Sequence, residues 1–166
     1  MSELPKGWLK LAIKDVTTYV QRGKGPKYTE KNEFAVINQK AIRWGGIQEE
    51  HLKYVREDTW DKYAEERFIK EGDILWNSTG TGTIGRACII DEKEVRKAKV
   101  VDSHVTIVRC NSELIYPKYL FYWIMSPKIQ YDINSLYTGT TNQVELSKAK
   151  VLGTEVPKTF ALLNST

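Results

Sequence analysis

Three glycines spaced as Gly80-x-Gly82-x-x-Gly85 are the first residues whose pattern could do chemistry. This is the spacing of the dinucleotide fingerprint, in which a helix follows the glycines and its N-terminus holds the pyrophosphate. Here an apolar run over 87–90 follows, which favours a strand. A Gly-Lys-Ser/Thr phosphate loop is absent. We therefore interpret the segment as a hairpin whose polar tip contacts a partner, or as a hairpin without a ligand.

The residue types of an acyl-transfer enzyme occur together at Asp102-Ser103-His104. Neighbours along a strand alternate between faces, so Ser103 would point away from the other two and a triad would not form. A metal-dependent nuclease needs converging carboxylates and a lysine, for which Asp73, Asp91 and Lys93 are the candidates. The last two resemble turn residues, so this hypothesis is the least favoured.

Other catalytic and metal-binding signatures are missing from the sequence. A DNA amino-methyltransferase carries a Pro-Pro pair in its catalytic tetrapeptide, and no Pro-Pro occurs here. The histidines, His51 and His104, have no cysteines at zinc-ligand spacing. Cys88 and Cys110 lie in apolar runs typical of buried thiols in a reducing cytosol. We therefore predict no catalytic residue, no metal site and no cofactor in this chain.

The composition is that of one soluble domain. The chain has 166 residues, of which 41% are hydrophobic and 28% charged, so it can bury a substantial core. No apolar run approaches transmembrane length and no secretory pattern is present, so we expect a cytoplasmic location. The net charge of +4, from 25 basic and 21 acidic residues, permits a polyanionic partner.

Periodicity and capping signals predict the elements of the first two-thirds of the chain. Residues 74–76 and 87–90 are interpreted as strands on either side of the glycine loop. The apolar residues of 13–20 recur at helical spacing. A second helix is predicted over 58–68, with aromatic residues on its core face. The charged segment 91–99 is interpreted as a solvated loop.

Helix signals are concentrated in the last third. Pro117 and Pro127 suit the first turns of two helices, and Ser147 can cap a third. Residues 137–143 form a second loop rich in hydroxyls and amides. The predicted class is α+β, with a twisted mixed or antiparallel sheet core, helices packed against it and a helix-rich C-terminal third.

Polar loops and one polar strand end could meet in a single basic groove that fits DNA. Asn and Gln can pair with adenine and Arg or Lys with guanine, whereas phosphate contacts position the protein. An ordinary solvated surface is the alternative for each segment. Lys150 is a further candidate for phosphate contact. The predicted DNA-binding residues are Arg22, Lys24, Lys27, Asn38, Gln39, Lys40, Arg43, Trp44, Asn77, Ser78, Thr79, Thr81, Thr83, Arg86, Thr138, Thr140, Thr141, Asn142, Gln143 and Lys148.

An ordered set of short motifs runs through the chain. They include Gly7-Trp8, Gly45-Gly46-Ile47, Glu71-Gly72-Asp73-Ile74-Leu75, Gly82-Thr83-Ile84-Gly85-Arg86, Pro117-x-Tyr119-Leu120, Gly139-Thr140-Thr141-Asn142-Gln143 and Val156-Pro157. In this order and spacing the chain resembles a target recognition domain of the specificity subunit of type I restriction-modification enzymes. The resemblance extends from about Gly7 to Pro157.

The resemblance implies a non-catalytic subunit that reads DNA for a larger complex. Modification subunits would methylate adenine and a restriction subunit would translocate and cleave, using S-adenosylmethionine, ATP and magnesium that this chain does not bind. Full specificity subunits have two recognition domains joined by long helices. We expect residues 1–157 to form one such domain, and 158–166 to be a tail that begins the inter-domain helix or ends a fragment. A second copy of the chain is a further candidate partner, and the alternative function is a protein-interaction domain.

Overall fold

Short strands predominate in the first two-thirds of the chain, of which the computed structural model describes residues 4–139 and 144–159. The strands are β1 (Trp8–Ala12), β2 (Thr17–Arg22), β3 (Tyr28–Thr29), β4 (Ala35–Ile37), β5 (Ile42–Arg43), β6 (Gly46–Ile47), β7 (Lys53–Val55), β8 (Ile74–Asn77), β9 (Ala87–Ile89), β10 (Lys99–Val101), β11 (Val105–Cys110), β12 (Tyr137–Thr138), β13 (Glu145–Leu146) and β14 (Glu155–Thr159). The helices are α1 (Glu57–Trp60), α2 (Glu92–Val95), α3 (Pro117–Met125), α4 (Pro127–Tyr131) and α5 (Lys148–Gly153). The class is α+β, as the sequence predicts.

A four-stranded sheet of order β2-β11-β8-β9, antiparallel throughout, forms the centre of the fold. Strand β8 is buried along its whole length. Its side chains alternate between two cores, because Ile74 and Trp76 join one apolar cluster and Leu75 joins another. The central sheet is therefore covered on both faces.

Helices cover one face of the central sheet and a second sheet covers the other. Leu120 and Ile124 of α3 and Ile129 of α4 pack in the same cluster as Trp76. The second sheet has the order β10-β4-β7-β3, and its Ile37 and Val101 share a cluster with Leu75. The outer face of the second sheet is covered by an aromatic group, which consists of Phe34, Trp60, Tyr63 and Phe68.

Strand register brings several polar connections to one end of the central sheet. Val105 of β11 pairs with Asn77, the last residue of β8, and Thr106 pairs with Arg22, the last residue of β2. Since these neighbours are antiparallel, the segments after β8, after β2 and before β11 all leave the sheet at the same end. In the second sheet β4 and β10 are parallel, so the segment after Ile37 leaves β4 at the same end at which the chain leaves β10 and enters β11.

Of two helices predicted in the first half of the chain, one prediction is wrong and the other helix is shorter than predicted. Residues 13–15 form a single 3-10 turn, after which the chain enters β2. The apolar spacing comes from a turn joined to a strand whose Thr-rich sequence favours extended backbone, and pairing with β11 fixes that choice. The predicted helix over 58–68 is reduced to α1 and a later 3-10 turn. Its aromatic residues are nevertheless core, as the sequence indicates.

The charged segment 91–99 is not only loop, because it contains α2. Asp91 accepts hydrogen bonds from the backbone N–H groups of Lys93 and Glu94, and Glu94 bonds back to the N–H of Asp91. This reciprocal cap satisfies the open donors of the first turn. The predicted helix starts at Pro117, Pro127 and Ser147 are confirmed.

Both cysteines are free thiols. Cys88 is buried, and the desolvation raises its pKa to about 12. Cys110 is partly buried, and burial raises its pKa to about 12 as well. Over residues 4–139 and 144–159, no helix has the length and apolar character needed to span a bilayer.

A buried ion pair ties β8 to β11 at the end of the sheet opposite the polar connections. The Asp73 carboxylate is fully buried and receives two bonds of 2.8 Å from the Arg109 guanidinium. It also accepts the backbone N–H of Lys70 at 2.8 Å. Arg109 lies over the Tyr19 ring and donates to the carbonyl of Phe68, so every part of the guanidinium is engaged.

We expect Asp73→Ala to lower the free energy of unfolding by about 3–5 kcal/mol, because it leaves a guanidinium buried without its partner. Urea denaturation followed by tryptophan fluorescence measures this. The matched control is Glu155→Ala, which removes the exposed pair between Lys10 and Glu155 and should cost about 1 kcal/mol or less. Equal losses in the two variants would contradict the assignment.

Candidate nucleic-acid interface

Four polar segments meet at the open end of the central sheet, and we call them the loop cluster. They are residues 38–40 after β4, the glycine loop 77–86 between β8 and β9, the turn 102–104 between β10 and β11, and the hairpin β12–β13. The glycine loop leads into strand β9 and not into a helix, as the sequence predicts. A dinucleotide site of the fingerprint type is therefore absent from this loop.

Segment 38–40 lies against the glycine loop. The Asn77 side-chain amide donates to the backbone carbonyl of Gln39 at 3.0 Å, and the Thr83 hydroxyl donates to the Gln39 side-chain oxygen at 3.2 Å. Gly80 has φ +91°, and a Cβ there would lie 2.5 Å from that same oxygen. The glycine thus allows the Gln39 side chain to lie across the loop, where its N–H₂ group is oriented by the bond to Thr83.

The hairpin β12–β13 lies on the other side of the glycine loop. Thr79 and Glu145 form an isolated antiparallel bridge, and the Leu146 N–H donates to the Ser78 carbonyl at 2.8 Å. The two hydroxyl-rich segments are therefore neighbours. Of the second predicted loop, Thr138 lies in β12 and is exposed. The predicted contacts Thr140, Thr141, Asn142 and Gln143 lie outside the described residues.

The turn 102–104 stands between these segments and is bonded to each side. The His104 carbonyl accepts the Ser78 N–H at 2.8 Å, and ring atom Nδ1 of His104 is 2.5 Å from the Thr79 hydroxyl. The Ser103 carbonyl accepts two bonds from the Arg22 guanidinium, at 2.9 and 2.5 Å. The Asp102 N–H donates to the Ile37 carbonyl at 3.0 Å. This short turn therefore has a fixed position.

Asp102, Ser103 and His104 do not form a catalytic triad. One Asp102 carboxylate oxygen accepts the backbone N–H of His104 at 2.9 Å, and the other accepts the Tyr28 hydroxyl at 2.9 Å. The imidazole is bonded to Thr79 instead of the carboxylate. The carboxylate therefore shapes the turn and does not orient the ring, which is the task of the acid in a triad.

Burial changes the ionisation of the pair formed by Asp102 and Tyr28. Desolvation raises the pKa of the Asp102 carboxyl, while the hydrogen bonds from His104 N–H and the Tyr28 hydroxyl oppose this rise. Burial and the adjacent carboxylate raise the pKa of Tyr28 above its usual range. The hydroxyl therefore remains a donor at neutral pH and stabilises the ionised form of its partner.

Two clefts flank Gln39 and His104. One has a volume of about 320 Å³ and is lined by Tyr28, Lys40 and Asp102 in addition to Gln39 and His104. The other has a volume of about 390 Å³ and is lined by Thr79, Gly80 and Thr81 as well as the same pair. The amide of Gln39 and the imidazole of His104 therefore form the ridge between two concavities. Both concavities contain hydrogen-bond donors and acceptors of the kinds that match base edges.

The predicted arginines bond to backbone carbonyls around the loop cluster. Arg43 donates to the carbonyls of Lys40 and Ile42, and Arg86 donates to those of Ile42 and Gly82. Arg22 bridges the Ser103 carbonyl and the Glu145 carboxylate, the latter at 2.6 Å. These guanidiniums stabilise the loops, so parts of their donor sets are already used.

The predicted lysines around the loop cluster differ in their exposure and in their hydrogen bonds. Lys24, Lys27 and Lys40 are exposed, and the backbone between the first two passes close to the turn, since a Cβ at Gly25 would lie 3.1 Å from the Ser103 hydroxyl. Two others are bonded within the protein. Lys148 donates to the Gln21 side chain at 2.7 Å and Lys150 to the Tyr137 carbonyl at 2.9 Å. Trp44 is 45% exposed.

Three predicted contact residues are buried, which corrects their assignment as direct contacts. Asn38 is 6% exposed, whereas Asn77 and Ser78 are wholly buried. The Asn38 amide donates to the His51 carbonyl at 2.6 Å, and the Ser78 hydroxyl lies 2.5 Å from that of Thr106. Through these bonds and that of the Asn77 amide N–H₂ group to the Gln39 carbonyl, the three side chains support the loops from beneath. Thr79, Thr81 and Thr83 are the hydroxyls of this loop that reach the surface.

Tyr28, Asp102 and His104 are site residues that the sequence interpretation missed. In the sequence, residues 102–104 suggest only a possible catalytic triad, and nothing marks Tyr28 except that it follows a basic segment. Their proximity depends on the parallel pairing of β4 with β10, whose partners are more than sixty positions apart in the chain. The one available signal is a polar Asp-Ser-His group between two apolar strands, which is typical of a tight connection.

The residues suggested for a metal-dependent nuclease do not form a ligand group in the part of the chain that the structure describes. No group of three or more His, Cys, Asp or Glu side chains there is arranged to hold a metal ion. The nuclease candidates have other contacts, because Asp73 is bonded to Arg109 and Asp91 caps α2. Lys93 pairs with Asp91 at 3.4 Å on the surface.

Comparison with known proteins identifies the family. The sequence profile of the type I restriction modification DNA specificity domain matches residues 5–158. The chain belongs to this family. The type I restriction enzyme MjaVIII specificity subunit of Methanocaldococcus jannaschii is 26% identical over 159 residues, which are 95% of this chain and 37% of that protein.

Solved structures share the fold of this specificity domain. A chain of a type I R-M system, studied for its complex assembly and conformational transition, superposes with a TM-score of 0.68 at 19% identity, over 98% of this chain and 40% of that one. The HsdS subunit of Thermoanaerobacter tengcongensis gives 0.64 at 16% identity, over 94% and 39%. The chain thus spans about two-fifths of the length of the relatives that it matches.

We expect Tyr28→Phe to raise the pKa of Asp102 further, because it removes a hydrogen bond that favours the carboxylate. Carboxyl ¹³C shifts followed during an acid titration measure this. Asp102 holds its proton more tightly in the folded chain than in the unfolded chain. The contribution of Asp102 to stability is therefore lost as pH rises from its pKa in the unfolded chain through its pKa in the folded chain. In Tyr28→Phe this loss extends to a higher pH, because the folded-state pKa is higher.

The exposed Tyr131 provides the control, since Tyr131→Phe removes a hydroxyl from α4, outside the loop cluster. The Asp102 inflection should be the same in this variant as in the wild type. An inflection that is also unmoved in Tyr28→Phe would show that the hydroxyl does not stabilise the carboxylate in solution.

Proposed function

We propose that the chain binds double-stranded DNA in a sequence-specific way through the loop cluster. The observation that supports this most directly is the contact of Thr79 with both Glu145 and His104, which holds the glycine loop, the hairpin and the turn together. Membership of the DNA specificity domain family supports the same function. The surface is composed of hydroxyl, amide and imidazole groups, which suit hydrogen bonding to base edges.

The exposed lysines supply the non-specific part of this binding. Lys40 lines the first cleft, and Lys24 and Lys27 are on either side of Gly25, which lies beside the turn. At these places the three lysines can neutralise phosphates of a duplex that lies on the cluster. Phosphate neutralisation provides affinity and register, while the polar groups between the lysines select the sequence. The acidic Glu145 is paired with Arg22, which reduces its repulsion of the duplex.

Partner subunits complete the proposed activity. The chain would direct a modification subunit to methylate adenine and a restriction subunit to cleave, with S-adenosylmethionine, ATP and magnesium used by those partners. It corresponds to about two-fifths of its relatives, so it would read half of a split target, alone or with a second copy. Catalysis is assigned to the partners and not to this chain.

A second candidate is a protein-interaction domain, favoured by exposed aromatic side chains on the helical face. Tyr116, Tyr122 and Tyr131 are 59%, 65% and 88% exposed around α3 and α4. Tyrosine is enriched at protein interfaces. The two functions are compatible, because these residues lie on or beside the helices that cover one face of the central sheet, whereas the loop cluster is at its end.

Selection of bound duplexes from a random DNA pool tests the main proposal. Enrichment of one short motif is the expected result, and a mobility shift on that motif should weaken steeply with salt. Retention of no DNA at low salt would overturn the proposal. Separate mixing with a methyltransferase subunit tests the second candidate, since co-elution with that subunit but not with DNA would favour an interaction domain.

We expect Lys24→Ala to weaken binding to all duplexes by the same factor and to reduce the salt slope by about one unit, because it removes one phosphate contact. Fluorescence anisotropy at several salt concentrations measures both effects. Lys118→Ala is the matched control, because Pro117 beside it lies near Gly72 at the opposite end of β8, where a Cβ added to Gly72 would be 3.3 Å from the Pro117 ring. A change of base preference in the Lys24 variant, or an equal loss in the control, would contradict this role.

A further inference from the structure

His104 combines exposure with a fixed position, and its role goes beyond what the family assignment provides. Its backbone is bonded on both sides, to Asp102 through its N–H and to Ser78 through its carbonyl. Its ring is exposed on the ridge between the two clefts. A side chain that reads a base must be held in position while one polar atom stays open, and His104 meets both conditions.

The Thr79 hydroxyl fixes the orientation of the ring. It lies 2.5 Å from Nδ1 of His104, and Thr79 is itself held by the bridge to Glu145. With Nδ1 engaged, Nε2 is the ring atom left for a ligand, and no side chain in the described ranges bonds to it. A hydroxyl can donate or accept, and when the Thr79 hydroxyl donates to Nδ1, the neutral ring carries its hydrogen on Nε2. In that tautomer Nε2 is a donor.

The neighbouring cations are less suited to base reading. Arg43 and Arg86 already donate to loop carbonyls, so the paired donors needed for guanine are partly occupied. Arg22 is bonded to Ser103 and Glu145. The exposed lysines near the turn have long, flexible side chains, which lose more conformational freedom when they bind. The imidazole is short and needs little ordering to form a directed bond.

We propose that His104 is a specificity-determining residue whose Nε2–H donates to the N7 atom of a purine in the major groove, with Thr79 as the residue that positions the ring. This inference rests on the proposed DNA-binding function. Purine N7 is an acceptor in adenine and in guanine, whereas pyrimidines present no N7. His104 would therefore select a purine at one position of the target.

Purine analogues that lack N7 test this contact. After a motif has been selected with the wild-type chain, each purine is replaced in turn by its 7-deaza analogue and the binding constant is measured. Wild-type binding should fall about 5- to 150-fold at one position, which corresponds to a cost of about 1–3 kcal/mol for a buried donor left without its acceptor. In His104→Ala the same analogue should have no effect at that position, and a selection repeated with this variant should show relaxed preference there alone.

Thr79→Val and Thr81→Val form a matched pair in the same loop. Loss of the hydroxyl beside Nδ1 should reduce the effect of the 7-deaza analogue at the His104 position, whereas loss of the exposed Thr81 hydroxyl should leave that effect intact. Thr79→Val also provides the test if His104→Ala does not fold. Circular dichroism confirms the folding of each variant.

Two results would overturn the proposal. One is a uniform loss of affinity for all sequences in His104→Ala, with the 7-deaza effects unchanged, which would make His104 a structural or phosphate contact. The other is a wild-type motif without any position sensitive to N7. The proposed function fails separately, if the wild-type chain enriches no motif and retains no duplex at low salt.

Discussion

The pairing of strand ends is the constraint on which the rest of the structure depends. Apolar clusters cover both faces of the central sheet, and its polar connections lie beyond the ends of the strands. Antiparallel pairing of β8 with β11 places Asn77 beside Val105, and parallel pairing of β4 with β10 places Ile37 beside Val101. Together these registers put the polar connections at one end, and a shift of one residue would also exchange the two apolar faces of β8.

Buried polar groups maintain this arrangement beneath the surface. Asn77, Ser78 and Asp102 are almost wholly buried, and each bonds to a neighbouring segment: the first to Gln39, the second to His104 and Leu146, and the third to Ile37 and Tyr28. A buried donor or acceptor without a partner costs about 1–3 kcal/mol. Each bond therefore opposes separation of the loops and fixes the positions of the exposed groups above it.

Local signals in the sequence predict the elements better than they predict the site. The strand, loop and strand around Gly80-x-Gly82-x-x-Gly85 and the helix starts at Pro117 and Ser147 depend on neighbouring residues, and all are confirmed. The helix predicted over 13–20 is wrong because its spacing fits a turn and a strand equally well. The roles of Tyr28 and His104 depend on β4–β10 pairing between distant segments, which periodicity does not encode.

The residues that support the loops are buried, whereas those that line the clefts are exposed. This difference determines which substitutions the domain can accept at the cluster. Gln39, Thr81 and His104 present polar atoms to the clefts, and their side chains take no part in the apolar cores. Substitution at these positions changes hydrogen bonds to a ligand without creating a cavity. Substitution of Asn77 or Asp102 would instead leave buried partners unpaired and displace the loops. Under the proposed function, specificity can therefore vary at Gln39, Thr81 and His104, while Asn77 and Asp102 preserve the geometry of the loops.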